Sequence, residues 1–390
     1  MRILAVHNKY QQAGGEDQAF EAETALLAEH GHKVRSYNVH NDQLEGMGRL
    51  ESARVAVWNR SSYRELRSII REEQPDVVHF HNTFPLISPA GYYAAKSEGV
   101  PVVQSLHNYR LICPNALFFR QGHACEDCQG KIVPWPGVLH ACYRGSHPAT
   151  AVVATMLSAH RLLRTWTKMV DVYIALTDFA RHRFIEEHLP AGKVMVKPNF
   201  LHPDPGPGRI QNPYAMFVGR LSVEKGIDTL TEAWGRLETR VPLRILGDGP
   251  LANTAAEASR RIAEVAWLGR QPREETLRLL SGAQFLVFPS QCYENFPLVV
   301  AEAFACGVPI IASDLGSMSS LVAHGRTGLL FRPGDPQDLA DKVQWALAHP
   351  AELANMRREA RTEFEAKYTA AKNYERLMSI YESAIEGAKA

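Results

Sequence analysis

The feature that most constrains the fold of this chain is an alternation of short apolar runs with helix-like segments, which stops once and then restarts. In the first half, apolar runs predict strands from Ile3–Val6 to Val194–Val196, and amphipathic segments such as Asp17–Glu29 lie between them. The run Pro198–Gly208 can continue neither element, and the alternation resumes at Ala215–Val218. Strands that alternate with helices pair in parallel. The predicted fold class is therefore α/β, with two doubly wound, Rossmann-like domains facing each other across a cleft.

The break in the alternation also predicts the domain boundaries. At 390 residues the chain is too long for one ordinary core. We expect an N-terminal domain over residues 1–200, a C-terminal domain over 209–370, and a helix at 371–390 that packs back on the N-terminal domain. An irregular insert at 108–147 interrupts the first domain.

Composition and charge exclude several classes of function. With 43 basic and 42 acidic residues the net charge is +1, so no overall charge favours nucleic acid. The stretch Met1–His7 reads as a strand rather than a signal peptide, and no run of 18 apolar residues predicts a membrane span. We expect a cytoplasmic protein, with peripheral contact with the inner membrane surface left open.

Two glutamates at the start of a predicted helix are the strongest functional signal. The buried strand Phe285–Phe288 leads into a loop with Glu294, and Glu302 is placed about two turns into the next helix. Pro297 suits the first helical turn, where the amides and the helix dipole attract anions. Two carboxylates that can accept hydrogen bonds from hydroxyl groups, placed beside an anion site, suit a ligand in which a sugar is joined to a phosphate. The alternative is that one glutamate is an ordinary carboxylate at a helix start and the other an exposed residue of the helix. Glu302, however, lies among apolar residues, where a carboxylate without a partner is energetically costly.

The segment Gly219–Gly226 follows the first strand of the second domain and opens a helix. Arg220 can grip phosphate oxygens in a bidentate manner, and Lys225 adds a second positive charge. Together they would neutralise a diphosphate, at the strand end where such sheets bind ligands. The alternative is a solvated turn with two ordinary surface cations.

The first domain offers weaker signals at two predicted strand ends. Gly14 and Gly15 would let the backbone approach a phosphate or sugar closely, although a plain loop is a fair alternative. His107 ends its strand at the expected rim, where it could bind the donor sugar or position the acceptor. For His79 and His81 a structural role is favoured.

Four of the six cysteines lie in the insert, in the pattern C-x11-C-x2-C-x13-C formed by Cys113, Cys125, Cys128 and Cys142. In a cytoplasmic chain such clustering favours a structural zinc ion over disulfides. The alternatives are unligated or redox-active thiols, and His123 or His140 could replace one cysteine as ligand.

These motifs together resemble the retaining glycosyltransferases of family 4, which have the GT-B fold. The resemblance rests on Gly219–Gly226, on Glu294-x7-Glu302, on Ala305–Ser313 and on Gly325–Leu330; it is specific over residues 214–335 and looser before them. The cysteine insert looks like one carried by a bacterial subset. In two places the chain departs from the family pattern: Asn295 replaces a frequent glycine, and Gln284 a frequent aspartate.

The resemblance also implies residue roles. Arg220 and Lys225 would hold the donor diphosphate, Glu302 the ribose, and Glu294 the donor sugar. Amides at Phe296, Leu298 and Val299 would face the phosphate and sugar, the turn Leu268-Gly269 would lie near the base, and Gly15 would close over the donor from the N-terminal, acceptor-side domain.

The reaction implied is transfer of a hexose-type sugar from a nucleotide diphosphate sugar to a hydroxyl of a saccharide or lipid-linked saccharide in polysaccharide biosynthesis, with retention of configuration. No metal is expected at the chemical centre. Two alternatives stay open: a nucleotide-sugar epimerase, and a catalytically silent donor-binding partner in polysaccharide assembly.

Overall fold

A computed structural model describes residues 1–11, 14–210 and 213–389. The chain divides into two compact units. Unit 1 comprises Met1–Phe118, Glu126–Asn199 and Ala370–Ala390, and unit 2 comprises Phe119–Cys125 and Phe200–Thr369. This division groups part of the cysteine insert, Phe119–Cys125, with unit 2, whereas the sequence-based boundaries keep the whole insert in the first domain.

The described strands are β1 Arg2–Lys9, β2 Lys33–His40, β3 Val77–Asn82, β4 Val102–Leu106, β5 Phe119–Arg120, β6 His123–Ala124, β7 Val172–Ala175, β8 Val194–Val196, β9 Ala215–Val218, β10 Leu243–Leu246, β11 Val265–Gly269, β12 Phe285–Phe288, β13 Ile310–Ser313 and β14 Gly328–Phe331. The described α-helices are α1 Gly15–Glu29, α2 Arg49–Val57, α3 Arg60–Glu73, α4 Ala90–Ser97, α5 Trp135–Leu139, α6 His147–Leu162, α7 Thr165–Lys168, α8 Asp178–Glu186, α9 Ile227–Arg236, α10 Ala252–Arg261, α11 Arg273–Ser281, α12 Leu298–Ala305, α13 Met318–Leu321, α14 Pro336–Ala348, α15 Pro350–Lys367 and α16 Ala370–Lys389.

Each unit is built on a six-stranded sheet. The order is β2-β1-β3-β4-β7-β8 in unit 1 and β11-β10-β9-β12-β13-β14 in unit 2, and neighbouring strands pair in parallel. The second order is that of a Rossmann fold, 3-2-1-4-5-6. In such sheets ligands bind where the strand order reverses, which is between β1 and β3 in unit 1 and between β9 and β12 in unit 2. The predicted fold class, two doubly wound Rossmann-like domains, is confirmed.

Four strands at or next to these reversal points are buried along their whole length. Every residue of β3, β4, β12 and β13 is buried, as expected for strands covered by helices on both faces. The loops that follow β3 and β12 therefore leave strands that are buried to their last residue.

The last helix belongs to unit 1. On α16, Leu377, Ile380 and Tyr381 join the core cluster that contains Ile3 and Val77. This helix has 20 residues, yet neither it nor any other helix in the described part of the chain has the apolar length needed to cross a membrane.

Three elements differ from the sequence-based expectation. The single helix expected over Ala149–Met169 is two helices, because Arg164 adopts a left-handed conformation with φ +56°. The sequence pattern also gives no sign of α2, whose apolar residues are interspersed with arginines, or of β14, which has only four residues. Short elements carry too few periods for their pattern to be recognised.

Candidate functional site

The reversal point of unit 2 brings two predicted site residues into contact. Lys225 closes a 3-10 helix that follows β9, and Glu294 lies in the loop after β12. The Lys225 Nζ atom lies 2.6 Å from Glu294 Oε1, and both side chains are mostly buried. The two motifs are 69 residues apart in sequence, and the adjacency of β9 and β12 joins them.

Backbone contacts hold the two loops together. Gly226 has a φ of +70°, and a Cβ atom there would lie 2.0 Å from the Pro289 carbonyl oxygen, so only glycine fits. The Glu224 carbonyl accepts hydrogen bonds from the Gln291 amide at 2.8 Å and the Ser290 hydroxyl at 3.1 Å. The Lys225–Glu294 pair is therefore fixed before any ligand binds.

Glu294 has further donors that the sequence analysis missed. The Ser290 hydroxyl lies within hydrogen-bond reach of Glu294 Oε1 as well as of the Glu224 carbonyl, so its one proton serves either acceptor, and the Cys292 thiol lies 3.7 Å from the same Glu294 oxygen. Burial, reinforced by the Glu294 charge, raises the pKa of Cys292, so this thiol stays protonated and can donate. Cys292 is buried, and its thiol also faces the carboxylate.

The site carries positive charge that a ligand can use. Burial is the largest single influence on the pKa of Lys225 and lowers it, but the neighbouring groups, led by the Glu294 carboxylate with a contribution from Glu224, together raise it. The net pKa is raised, and the ammonium stays charged. Arg220 is exposed and makes no ion pair with another residue in the described part of the chain. Its guanidinium is thus available to an anion, as the sequence analysis expects.

Glu302 is the fifth residue of α12, a little over one turn into the helix rather than the two turns expected. It is 7% exposed, and Arg273 Nε on α11 lies 3.6 Å from its carboxylate. Burial raises the pKa of Glu302, and Arg273 only partly offsets this. Arg273 was not identified from the sequence.

The remaining predicted residues of unit 2 are spread along the same edge. Leu298 and Val299 are the first two residues of α12, whose amides have no acceptor within the helix. Phe296 packs its ring on Tyr368, with centroids 5.3 Å apart. Leu268 and Gly269 end β11, two strands from the reversal point, and Gly269 has a φ of +67°.

In unit 1, the glycine loop follows β1 at the reversal point. Gly14 caps α1, and its amide donates to Asp17 at 2.8 Å. The other Asp17 oxygen lies 2.8 Å from His7 Nε2. Among the described residues, apart from the chain neighbour of Gly14, no atom lies within 4 Å of the position that a Cβ on Gly14 would take.

A buried carboxyl group beside this loop was not anticipated. Glu16 Oε2 accepts hydrogen bonds from the Tyr10 hydroxyl at 3.0 Å and from Asn108 at 3.3 Å, while its Oε1 is buried without a partner. Burial raises the pKa of Glu16 to about 8; the Asp17 charge adds to this, and the two hydrogen bonds and Arg110 oppose it. Glu16 is therefore mainly protonated at neutral pH.

We expect Glu16→Gln to flatten the pH dependence of stability. The folded chain binds this proton more tightly than the unfolded chain, so Glu16 contributes stability that is fully present below its ordinary pKa of 4.5 and lost as pH rises through about 8. The melting temperature of the wild type should fall relative to that of Glu16→Gln mainly between about pH 4.5 and pH 8, and the difference should level off above that range. The exposed Glu72→Gln serves as control, and parallel curves for wild type and Glu16→Gln would contradict the prediction.

His107 follows β4 and lies in a histidine cluster. Its Nε2 atom is 3.0 Å from His81 Nδ1. Burial, with a contribution from His81, lowers the pKa of His107 well below its ordinary value, so the ring is neutral. His107, Asn108 and Arg110 also line a cavity of about 40 Å³, which has room for about three water molecules or one small polar group.

Behind His107 lies a buried charged network. Glu23 is 2.6 Å from Lys197 Nζ and contacts His79 and His81 at 3.1 and 3.2 Å. The ligand atoms of Glu23, His79 and His81 are close enough together to hold a metal ion. Since Lys197 already balances the Glu23 charge, we interpret the network as structural.

The four insert cysteines are divided between the units. Cys113, Cys128 and Cys142 belong to unit 1 and Cys125 to unit 2, and all are thiols rather than disulfides. Cys113 and Cys128 are buried, and the Cys128 thiol lies 3.9 Å from the Pro134 carbonyl oxygen. Four thiols suit zinc chemically, and the zinc site remains a prediction.

Family models and relatives match both units. A model described as "Glycosyl transferases group 1" matches residues 207–363, and one described as "Glycosyltransferase Family 4" matches residues 21–204. D-inositol 3-phosphate glycosyltransferase of Nocardia farcinica is 34% identical over 326 residues, which cover 80% of this chain and 67% of that protein. D-inositol 3-phosphate glycosyltransferase 1 of Catenulispora acidiphila is 28% identical over 337 residues, or 80% and 73% of the two chains.

Solved structures share the fold over nearly the whole chain. Alr3699/HepE of Anabaena, in complex with UDP-glucose, superposes with a TM-score of 0.70 at 16% identity and covers 98% of this chain and 100% of that one. Sucrose-phosphate synthase of Thermosynechococcus elongatus also gives 0.70, at 18% identity and 98% coverage of both chains. At these identities the likeness shows the fold alone.

Proposed function

Since the chain belongs to the glycosyltransferases of GT-B fold, we propose that it transfers a sugar from a nucleotide diphosphate sugar to an acceptor hydroxyl with retention of configuration. The observation that carries this proposal is the preformed Lys225–Glu294 pair at the reversal point of unit 2. A fixed cation beside a fixed carboxylate suits a ligand that joins an anionic diphosphate to a sugar rich in hydroxyl groups. The UDP and UDP-glucose complexes of Anabaena HepE support this ligand class.

The spacing of the unit 2 residues fits the parts of such a donor. Neighbouring strands lie about 4.8 Å apart, so the end of β11 is about 10 Å from that of β9. A base near Leu268 and Gly269 and a diphosphate near Arg220 and Lys225 leave a gap suited to a ribose. Glu302, buried and weakly paired, would then accept hydrogen bonds from the ribose hydroxyls.

Within this proposal the protein acts mainly through electrostatics. Arg220, Lys225 and the amides of Leu298 and Val299 would stabilise negative charge as the diphosphate departs. Glu294 is a poor candidate for a nucleophile, because its Oε1 already faces the ammonium, the Ser290 hydroxyl and the Cys292 thiol. A front-face attack by the acceptor, assisted by the leaving phosphate, accounts for retention without an enzyme-bound sugar.

Unit 1 would supply the acceptor side. The neutral His107 can accept or donate a hydrogen bond without attracting a counterion, which suits the positioning of an uncharged hydroxyl. The cavity beside it has room for a small polar group. A saccharide or lipid-linked saccharide of a cell-surface polysaccharide is the acceptor class proposed, with peripheral contact with the inner membrane surface.

The direct test is product analysis with a panel of nucleotide diphosphate sugars. Each donor is incubated with the protein alone and with candidate acceptors, and both the sugar and the released nucleotide are measured. Nucleotide diphosphate release that depends on an acceptor, together with an α- or β-linkage matching that of the donor, supports the proposal. A changed donor sugar without acceptor would identify an epimerase, and no turnover of any donor that binds would identify a silent partner.

We further propose that Cys113, Cys125, Cys128 and Cys142 hold one structural zinc ion. Zinc would order an insert with little regular structure of its own. Purified protein should then contain about one zinc per chain, and Cys125→Ser should lose the metal and become protease-sensitive between residues 108 and 147. Cys306→Ala, outside the insert, should keep its metal. Metal-free protein that was never exposed to chelator would refute the site.

A further inference from the structure

A long stretch of unit 1 contains no acidic residue. Between Asp127 and Asp171, the 43 residues 128–170 include no Asp or Glu and carry five Lys or Arg residues. At the frequency of the whole chain, 42 acids in 390 residues, this stretch would hold about five acids. The segment is therefore strongly basic within a chain that is nearly neutral.

The same stretch exposes large apolar side chains. Six of them are between 50% and 72% exposed and form what we name the apolar face: Ile132, Val133, Trp135, Leu139, Leu162 and Leu163. Scattered single apolar residues are normal on a surface, but a contiguous group marks an interaction site. Whether these six form one surface depends on how their two segments pack.

Hydrogen bonds place the two segments side by side. Arg161, next to Leu162, donates to the Ile132 carbonyl at 3.2 Å at the C-terminal end of α6. His147 Nδ1, at the N-terminal end of α6, lies 2.8 Å from the Val138 carbonyl oxygen. The strip from Ile132 to Leu139 thus runs antiparallel along α6, and Leu162 and Leu163 adjoin the start of the strip.

The basic and acidic residues around the apolar face do not cancel. Arg161 is neutralised by Glu187 at 2.7 Å, whereas Glu126 and Glu186 share the single guanidinium of Arg183, and Asp127 is a third acid at that edge. By contrast, Arg144, Arg164 and Lys168 are exposed within the acid-free stretch. The net charge that the surroundings of the face present to a partner is positive.

We propose that the apolar face docks unit 1 onto an anionic lipid bilayer. Exposed leucine, isoleucine and valine side chains can enter the acyl boundary, tryptophan favours the interfacial region, and neighbouring Arg and Lys residues attract acidic headgroups. A protein partner would also cover apolar area, but the absence of acids over 43 residues favours a uniformly anionic surface. This proposal rests on the peripheral membrane contact of the proposed function and names the surface that would make it; docking itself needs neither donor nor acceptor.

The test is co-sedimentation of the full chain with lipid vesicles. We expect binding to phosphatidylcholine vesicles that contain about 30% phosphatidylglycerol, weak binding to pure phosphatidylcholine, and loss of binding as salt is raised. Trp135→Ser/Leu163→Ser should bind the anionic vesicles at least tenfold more weakly, and Arg164→Gln/Lys168→Gln should bind less and with a smaller salt dependence. Both pairs are exposed, so the variants should stay folded, which their melting temperatures verify.

Matched controls lie in unit 2, where Trp345→Ser and Arg358→Gln also replace exposed residues. These variants should bind the anionic vesicles as the wild type does. Absence of wild-type binding, or equal binding by Trp135→Ser/Leu163→Ser, would overturn the proposal. A dimer that dissociates in the same double variant, without vesicle binding, would assign the face to a second copy of this chain instead. Transferase activity is measured separately, so failure of docking leaves the proposed function intact.

Discussion

Lys225→Ala is expected to lower turnover by about 10²- to 10³-fold while it changes donor affinity much less. The ammonium is fixed beside Glu294 before the donor binds, so it can stabilise charge that grows on the diphosphate without reorganising. Removing one preorganised electrostatic donor typically costs about 2.7–4 kcal/mol of barrier stabilisation. Arg220→Ala should lower turnover in the same direction but by less, because this exposed guanidinium is not held by a partner.

Steady-state kinetics of both variants make the measurement, because a change confined to turnover reports an interaction made in the transition state. Lys342→Ala, on α14 of the same unit, is the matched control and should keep normal turnover. Wild-type turnover in Lys225→Ala would remove this residue from the proposed machinery.

Glu294→Gln and Glu302→Gln are expected to impair different properties, turnover in the first variant and nucleotide binding in the second. Both substitutions keep the size of the side chain and remove its charge. Glu302 would bind the ribose, which changes little during the reaction, so its loss should weaken nucleotide diphosphate binding by about 10- to 100-fold. Glu294 would lie beside the sugar and holds Lys225 in place, so removal of its charge should mainly lower turnover.

Calorimetry with the nucleotide diphosphate and kinetics on the same proteins separate these effects. The exposed Glu257→Gln on α10 should behave as the wild type in both measurements. The assigned roles are reversed if Glu294→Gln loses nucleotide binding while Glu302→Gln loses only turnover.

The fold was predictable because the pattern repeats many times. Strands such as Ala215–Val218 and Phe285–Phe288 are continuous apolar runs with clear ends, and the structure gives them the predicted bounds. The break near Pro198–Gly208 could also be predicted, because the prolines and glycines that cause it lie in one short run. By contrast, the split at Arg164 depends on one left-handed residue, which no periodicity reveals.

The site was predictable in its parts but not in its contacts. Sequence position indicated that Lys225 and Glu294 end neighbouring loops, but their 2.6 Å contact depends on which strands are adjacent in the sheet. The donors Ser290 and Cys292 and the partner Arg273 carry no motif of their own, since side chains of these types occur in any loop or helix. They can be identified only once the backbone is in place.

The buried carboxyl of Glu16 could not be predicted for a similar reason. A Glu beside two glycines reads as an exposed loop residue. Its raised pKa arises from burial and from neighbours such as Asn108, 92 residues away. Protonation states of this kind depend on tertiary structure, which a local pattern does not encode.

The central claim is that the reversal point of unit 2 binds a nucleotide diphosphate, and calorimetric titration with a panel of nucleoside diphosphates tests it most directly. The account predicts that at least one of them binds the wild type with one site per chain, and that Glu302→Gln binds the same compound at least about tenfold more weakly. Absence of binding by every nucleoside diphosphate, or equal binding by wild type and Glu302→Gln, would contradict it.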